Sequence, residues 1–384
     1  MSEERQVKGQ VKGQIKGWCP GAHTPMMSGD GLIVRIRPHL GRLTSDQALG
    51  LCAIAQSEGN GIIDLTSRAN LQLRGIKETR HEAVLSALLA LGVLDDTPER
   101  EARRNIVTTP LWRVDDLNTR LYDAVCDRLD DLPDLPAKMG IAIDAGPSPI
   151  LPKTSADFRF ERTADGALLL RLDGLSRGRL TDEDTAIDAL CEMAQWFATT
   201  QTTARRMAGH VAMNPPPADW MSALPAAAIP PLSPGNRTGT ATLGVAFGSL
   251  EAASLSALIR DSHATALRVT PWRLFQLENA TLADAHGFIT APNDPLLTAH
   301  ACPGAPACAA ATVDTRQLAR ALAPAHRDLH VSGCSKGCAY RHEAATTLVG
   351  HDGTYDLVKQ GHPWDQPCQR GLSASDLKAQ DHAL

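Results

Sequence analysis

A single run of predicted strands and helices occurs twice along this chain, in the same order and at a nearly constant spacing. In the first copy, residues 31–38 alternate as a strand with Leu32, Val34 and Ile36 on one face. Thr44 and Gln47 then frame a capping box ahead of the apolar positions Ala48, Leu51, Cys52 and Ala55. Residues 62–65 and 70–73 follow as two more strands. In the second copy, residues 242–247 read as a strand, 250–259 as a helix, and 267–270 and 274–277 as a closing strand pair. Thr66 answers Thr270, Gln72 answers Gln276 and Leu73 answers Leu277, a common offset of 204 residues (270 − 66). Each βαββ run is half of a ferredoxin-like module. A second echo links Asp165-Gly166 and Gly174 with Asp352-Gly353 and Gly361, at an offset of 187 (352 − 165). Two echoes in the same order indicate a duplicated α+β chain whose ferredoxin-like halves pair about a pseudo-twofold axis.

The copies are separated by residues 214–239, where Pro215, Pro216, Pro217, Pro225, Pro230, Pro231 and Pro234 remove backbone donors and favour an extended linker. Before it, Thr181 and Asp184 are expected to cap a helix with an apolar face of Ile187, Leu190, Cys191, Ala194 and Phe197, which places Cys191 in the core. Residues 1–17, with their tandem Val-Lys-Gly-Gln, offer little to bury and read as a flexible tail. The polar start and the lack of a long apolar run predict a cytoplasmic protein without a membrane span. With Lys+Arg 38 against Asp+Glu 43, the net charge of −5 gives no reason to expect nucleic acid.

Nine cysteines in a chain expected in a reducing compartment point to metal or redox chemistry. Four of them are grouped: Cys302 and Cys308 enclose five residues, Cys334 and Cys338 enclose three. Pro303 and Pro306 force the first interval into a loop, while Gly333 and Gly337 let backbone N–H groups approach the second pair of sulfurs. A [4Fe–4S] cluster on two unequal loops suits this pattern best. Structural zinc fits the five-residue interval poorly, and a disulfide pair suits the compartment poorly.

These motifs, behind two ferredoxin-like halves, resemble the nitrite/sulphite reductase family, and the wording of Ala301 to Cys308 and Ser332 to Cys338 is similar to its branch in aerobic cobalamin synthesis. The resemblance runs from about Gly17 to Gly361. It implies two ferredoxin-like halves forming one pseudo-symmetric domain, with α/β domains for the cluster and the tetrapyrrole. The implied boundaries are 1–17 tail, 18–80 first half, 81–212 tetrapyrrole-binding α/β domain, 213–239 linker, 240–283 second half and 284–384 iron–sulfur domain. It implies that Cys302, Cys308, Cys334 and Cys338 hold a [4Fe–4S] cluster, and that Thr66, Arg68, Asn70 and Gln72 match the family's substrate turn. Arg103, Arg104 and Asn105 resemble its next anion-binding stretch, and Lys138 the lysine on the distal side of the macrocycle.

Arg35 and Arg37, on one strand face in an acid-free stretch, are expected to join Arg68 in holding carboxylates, with Arg42 and Lys77 as plain surface. Arg68 and Lys138 are the expected catalytic residues, Lys138 by stabilising a developing oxyanion. The implied reaction is an oxygen-dependent conversion of precorrin-3A to precorrin-3B by C20 hydroxylation and γ-lactone closure. Its implied needs are dioxygen, an NADH-linked or ferredoxin-like electron donor and a mononuclear non-haem iron beside the cluster. The competing expectation is a sirohaem-dependent sulphite or nitrite reductase, against which stand the short chain, Ala69 and the missing asparagine between Cys334 and Cys338. Cys19 and His23 read either as substrate neighbours or as a packed entry loop, and His300, His330 and His342 as structural.

Overall fold

The computed structural model describes residues 20–237 and 239–379. The expected tail 1–17 and Cys19 lie outside the described residues. The first half contains β1 (Met26–Ser28), β2 (Gly31–Ile36), β3 (Arg42–Thr44), α1 (Ser45–Glu58), β4 (Ile62–Leu65), β5 (Leu71–Ile76) and α2 (His81–Ala90). Thr44 Oγ1 accepts from the Gln47 N–H, and the Gln47 side chain accepts from the Thr44 N–H, so the capping box forms. Such a cap contributes about 1 kcal/mol. Beyond the boundary expected at residue 80, Val84, Leu88, Val93 and Leu94 pack into the same core as the first half.

The second half contains β11 (Gly235–Arg237), β12 (Thr240–Gly244), β13 (Ser249–Glu251), α7 (Ala252–Ser262), β14 (Ala266–Val269) and β15 (Leu274–Glu278). Here β11 pairs with β12, so the Pro-rich linker ends as an edge strand of this half. The two sheets exchange strands reciprocally: β13 pairs with β4, and β3 pairs with β14. Each exchanged strand follows a turn with left-handed backbone, at Leu40 (φ 54°) and Gly41 (φ 66°) in one copy and at Phe247 (φ 59°) and Gly248 (φ 71°) in the other. This turn stops the strand expected to reach residue 247 at Gly244. One apolar core, from Ile36, Leu51 and Ile63 to Leu243, Leu258 and Phe275, runs through both halves. Splitting the copies would expose it.

Two α/β units flank this domain. The first has α3 (Pro98–Arg103), β6 (Ile106–Thr108), α4 (Leu117–Asp127), β7 (Ile141–Ile143), β8 (Phe158–Arg162), β9 (Leu168–Leu172), β10 (Arg179–Thr181), α5 (Ala186–Thr200) and α6 (Met207–Val211). The second has β16 (His300–Ala301), α8 (Arg316–Leu322), β17 (Leu329–Ser332), β18 (Ala344–His351), β19 (Thr354–Gly361), β20 (Gln369–Leu372) and α9 (Ala374–Ala379). Their sheets have one topology, β10-β9-β8-β7-β6 and β20-β19-β18-β17-β16, with two parallel strand pairings followed by two antiparallel ones. The Asp165-Gly166 and Asp352-Gly353 echoes are the hairpin turns β8–β9 and β18–β19. The expected cap of α5 by Thr181 and Asp184 does not form: the N-cap is Thr185, whose N–H and hydroxyl donate to Asp182 Oδ1 at 2.8 and 2.6 Å. Cys191 is half-buried at the edge of that core and not inside it. Among the described residues no helix is long and apolar enough to cross a membrane.

Candidate functional site

The four grouped cysteines emerge where two neighbouring parallel strands end. Cys302 directly follows β16, and Cys334 lies two residues past β17. The carboxyl ends of parallel strands are where open α/β sheets bind ligands. The Gly333 N–H donates to Cys302 Sγ at 3.1 Å, the kind of bond that tunes cluster sulfurs. A Cβ at Gly333 would stand 2.6 Å from Ala311 Cβ, so only glycine brings the backbone this close. In the first loop, Cys308 N–H closes on Gly304 O at 2.8 Å, and Gly304 takes φ 69°.

All four thiols are free; Cys302 is buried and Cys338 is the most exposed. Burial around the Cys338 sulfur, and then the charges of Cys334, Cys302 and Cys308, hold its thiol pKa above the ordinary value. The four sulfurs therefore feel one another. Among the described residues no three His, Cys, Asp or Glu side chains converge on a single ion. A cubane spreads its four thiolates over separate corners. Four thiols on two neighbouring loops are a donor set that fits a [4Fe–4S] cubane.

The cysteine loop is docked on the first half. Ser28 Oγ and Arg74 Nη2 donate to Ala307 O at 3.0 and 3.4 Å. A Cβ at Gly29 would lie 2.8 Å from Ala309 N, so the β1–β2 turn fits against this loop only as glycine. Between the loops and the first half is a cavity of about 340 Å³, lined in part by Gln72, Arg74, Arg273, Arg316, His300, Cys302 and Cys338. Its floor carries the buried Asp64, 3.3 Å from both Arg74 Nη1 and Arg316 Nη2. Arg74 also pairs with Asp30 at 2.8 Å, and Arg316 Nη1 donates to Ser249 Oγ at 2.7 Å.

Of the residues expected to hold the macrocycle, Gln72 lines this cavity. Gln72 lies opposite Arg35 in the β2–β5 ladder, and its side-chain oxygen accepts from Arg35 Nη2 at 2.8 Å. Thr66 Oγ1 accepts from the N–H groups of Arg68 and Asn70, which shapes the turn, and Asn70 is buried. Arg68 Nη2 donates to Lys138 O at 2.6 Å and to Ser155 Oγ at 3.3 Å, joining the turn to the first α/β unit. Lys138 is half-buried and is absent from the cavity wall.

The other expected residues sit among internal partners. Arg37 lies past the end of β2, buried, 2.9 Å from Glu101 Oε1, so it does not act beside Arg35 on a strand face. Arg104 is buried with Asp95 at 2.8 Å, and it also donates to Tyr122 and Arg37 O. Arg103 reaches Leu132 O at 2.7 Å and Asp134 at 2.9 Å, while Asn105 caps Met139 O. Acids distant in sequence neutralise what looked like a basic surface. His23 belongs to the same network, its N–H donating to Glu101 Oε2 at 3.2 Å. Arg42, expected as plain surface, is paired with Glu278 at 2.9 Å.

An aromatic cluster beside the cysteines escaped the sequence. His300 stacks on Tyr340 with centroids 3.8 Å apart, and His330 and His342 approach the same ring at 6.0 and 5.4 Å. Burial pushes the His300 and His330 pKa values down to about 3 and about 4, so both rings are neutral at physiological pH. The available signal was register: His300 and His330 face each other across β16 and β17.

Residues 24–91 match the nitrite/sulfite reductase ferredoxin-like half domain. The fold is similar to that of the Mycobacterium tuberculosis NirA protein, with a TM-score of 0.64, 17% identity, and coverage of 91% of this chain and 79% of that one. A precorrin-3B synthase from Sinorhizobium sp is 31% identical over 395 aligned positions, spanning 89% of this chain and 82% of its own. At that identity and coverage, the chain belongs to the precorrin-3B synthase family.

Proposed function

We propose that the chain converts precorrin-3A to precorrin-3B, inserting one oxygen atom at C20 and closing a γ-lactone from the ring A acetate, with a [4Fe–4S] cluster on Cys302, Cys308, Cys334 and Cys338. The observation that carries this reading is the cavity in which cationic side chains and cysteine loops share one wall. A polycarboxylate macrocycle needs fixed cations at its rim. When bound, the cluster supplies electrons singly. The other oxygen atom leaves as water, with two electrons and two protons from a donor.

The chain's own residues act by positioning. The Thr66 hydroxyl fixes the turn that presents Arg68 and Gln72, and Asp64 orients Arg74 and Arg316 at the cavity floor. Holding the carboxylates decides which meso carbon faces the oxidant. Arg68 ties that turn to the first α/β unit through the Lys138 carbonyl and Ser155 Oγ.

The test is anaerobic incubation of purified protein with precorrin-3A and a reductant, followed by isotopically heavy dioxygen and mass analysis. One labelled oxygen per product supports the proposal. Unlabelled or unchanged precorrin-3A, with cluster present, contradicts it.

A further inference from the structure

We infer that Arg273 binds a carboxylate of the macrocycle's rim beside the cysteine loops; this rests on the tetrapyrrole reading above and names a residue for it. Arg273 lines the cavity with His300, Cys302 and Cys338. Its guanidinium donates to two backbone carbonyls, Ala299 O at 2.7 Å through Nη1 and Leu297 O through Nη2. No carboxylate among the described residues pairs with it, and burial alone lowers its pKa. The neighbouring Arg74 and Arg316 differ, since both are paired with Asp64. A desolvated cation without a counter-charge is unfavourable unless a ligand supplies the anion.

The duplication supplies a control inside the same molecule. Arg273 corresponds to Ala69 at the offset of 204, and both take left-handed backbone, φ 60° and 54°. At that shared bend the first copy has a methyl group, and the second copy, whose own α/β unit carries the thiols, has a guanidinium. Gly248, at φ 71°, leaves room for the stem: a Cβ there would lie 3.2 Å from Arg273 Cγ. The bend, the glycine opposite and the two carbonyl anchors fix the cation before any ligand arrives, so little side-chain freedom is lost on binding.

The test compares wild type with Arg273→Met and Arg273→Lys by anaerobic titration with precorrin-3A, by titration with uroporphyrin III and its methyl ester, and by thermal melting of the ligand-free protein. The inference predicts at least tenfold weaker binding of both free acids by Arg273→Met, partial recovery in Arg273→Lys, equal ester binding by all three proteins, and a ligand-free melting temperature that does not fall. Unchanged affinity of Arg273→Met for the free acids overturns it. So does a lower melting temperature with equal losses in both variants and for the ester, which would make Arg273 a staple for residues 297–299. If wild type binds neither free acid, the tetrapyrrole reading itself falls, and with it this inference.

Discussion

The two α/β units share a topology, yet their corresponding loops do opposite things. In the second unit the loops after β16 and β17 carry the four cysteines and border an open cavity. In the first unit the loop after β6 carries Trp112, and Arg268 of the second half lies over its ring at 3.8 Å. Arg268 also donates to Trp112 O at 2.7 Å and pairs with Glu278, which holds Arg42 at 2.9 Å. At the offset of 204, Arg268 stands where Asp64 stands and Glu278 where Arg74 stands, so the ion pair is reversed in sense between the copies. One copy is closed by an indole and a neutralised arginine; the other keeps a cavity where Arg273 pairs with no carboxylate among the described residues. Duplication supplies the scaffold twice, and chemistry needs it open once.

Four experiments break or sharpen that contrast. The largest effect is expected from Cys302→Ser, which should abolish iron–sulfur absorption and turnover; a variant that retains full iron and sulfide would remove the four-thiolate assignment. Next is Arg104→Met. It strands the buried Asp95, so urea unfolding should show a loss of about 3–5 kcal/mol with the cavity untouched. Little loss of stability combined with lost ligand binding would return Arg104 to the substrate site.

Asp144 lies just past β7, where the second unit has Gly333 just past β17, and burial pushes its pKa up to about 6. A carboxyl whose folded pKa exceeds its unfolded value stabilises the fold when protonated, and loses that stability as pH rises through about 6. Asp144→Asn should therefore be more stable than wild type by on the order of 2 kcal/mol at pH 8, with the gap closing below about pH 4. A gap independent of pH would contradict the assigned pKa. The smallest effect is that of Arg68→Ala: roughly tenfold weaker precorrin-3A binding, about 1.4 kcal/mol, with the cluster band unchanged. Equal binding would confine Arg68 to its bonds with Lys138 O and Ser155.

Local signals were legible in the sequence wherever the interaction is local. The Thr44–Gln47 capping box, the Asp-Gly hairpins and the cysteine spacing each depend on neighbours a few residues apart. The reciprocal strand exchange was not legible, because β3 and β13 pair with partners from the other copy. Charge failed for the same reason. Residues 31–45 contain no acid, but Glu101 reaches Arg37 across 64 positions and Glu278 reaches Arg42 across 236. Arg273 gave the reverse error: nothing near it in sequence says that no acid among the described residues comes to meet it.

The central claim is that the cavity beside the cysteine loops receives its tetrapyrrole as substrate while the cysteines hold a cluster. Anaerobic purification followed by a visible spectrum, iron and sulfide analysis, and acid extraction tests it most directly. The account predicts a broad iron–sulfur band at roughly 400 nm, with iron and sulfide in cluster stoichiometry and no extractable tetrapyrrole. Stoichiometric sirohaem in the extract would contradict it, because the cavity would then hold a prosthetic group.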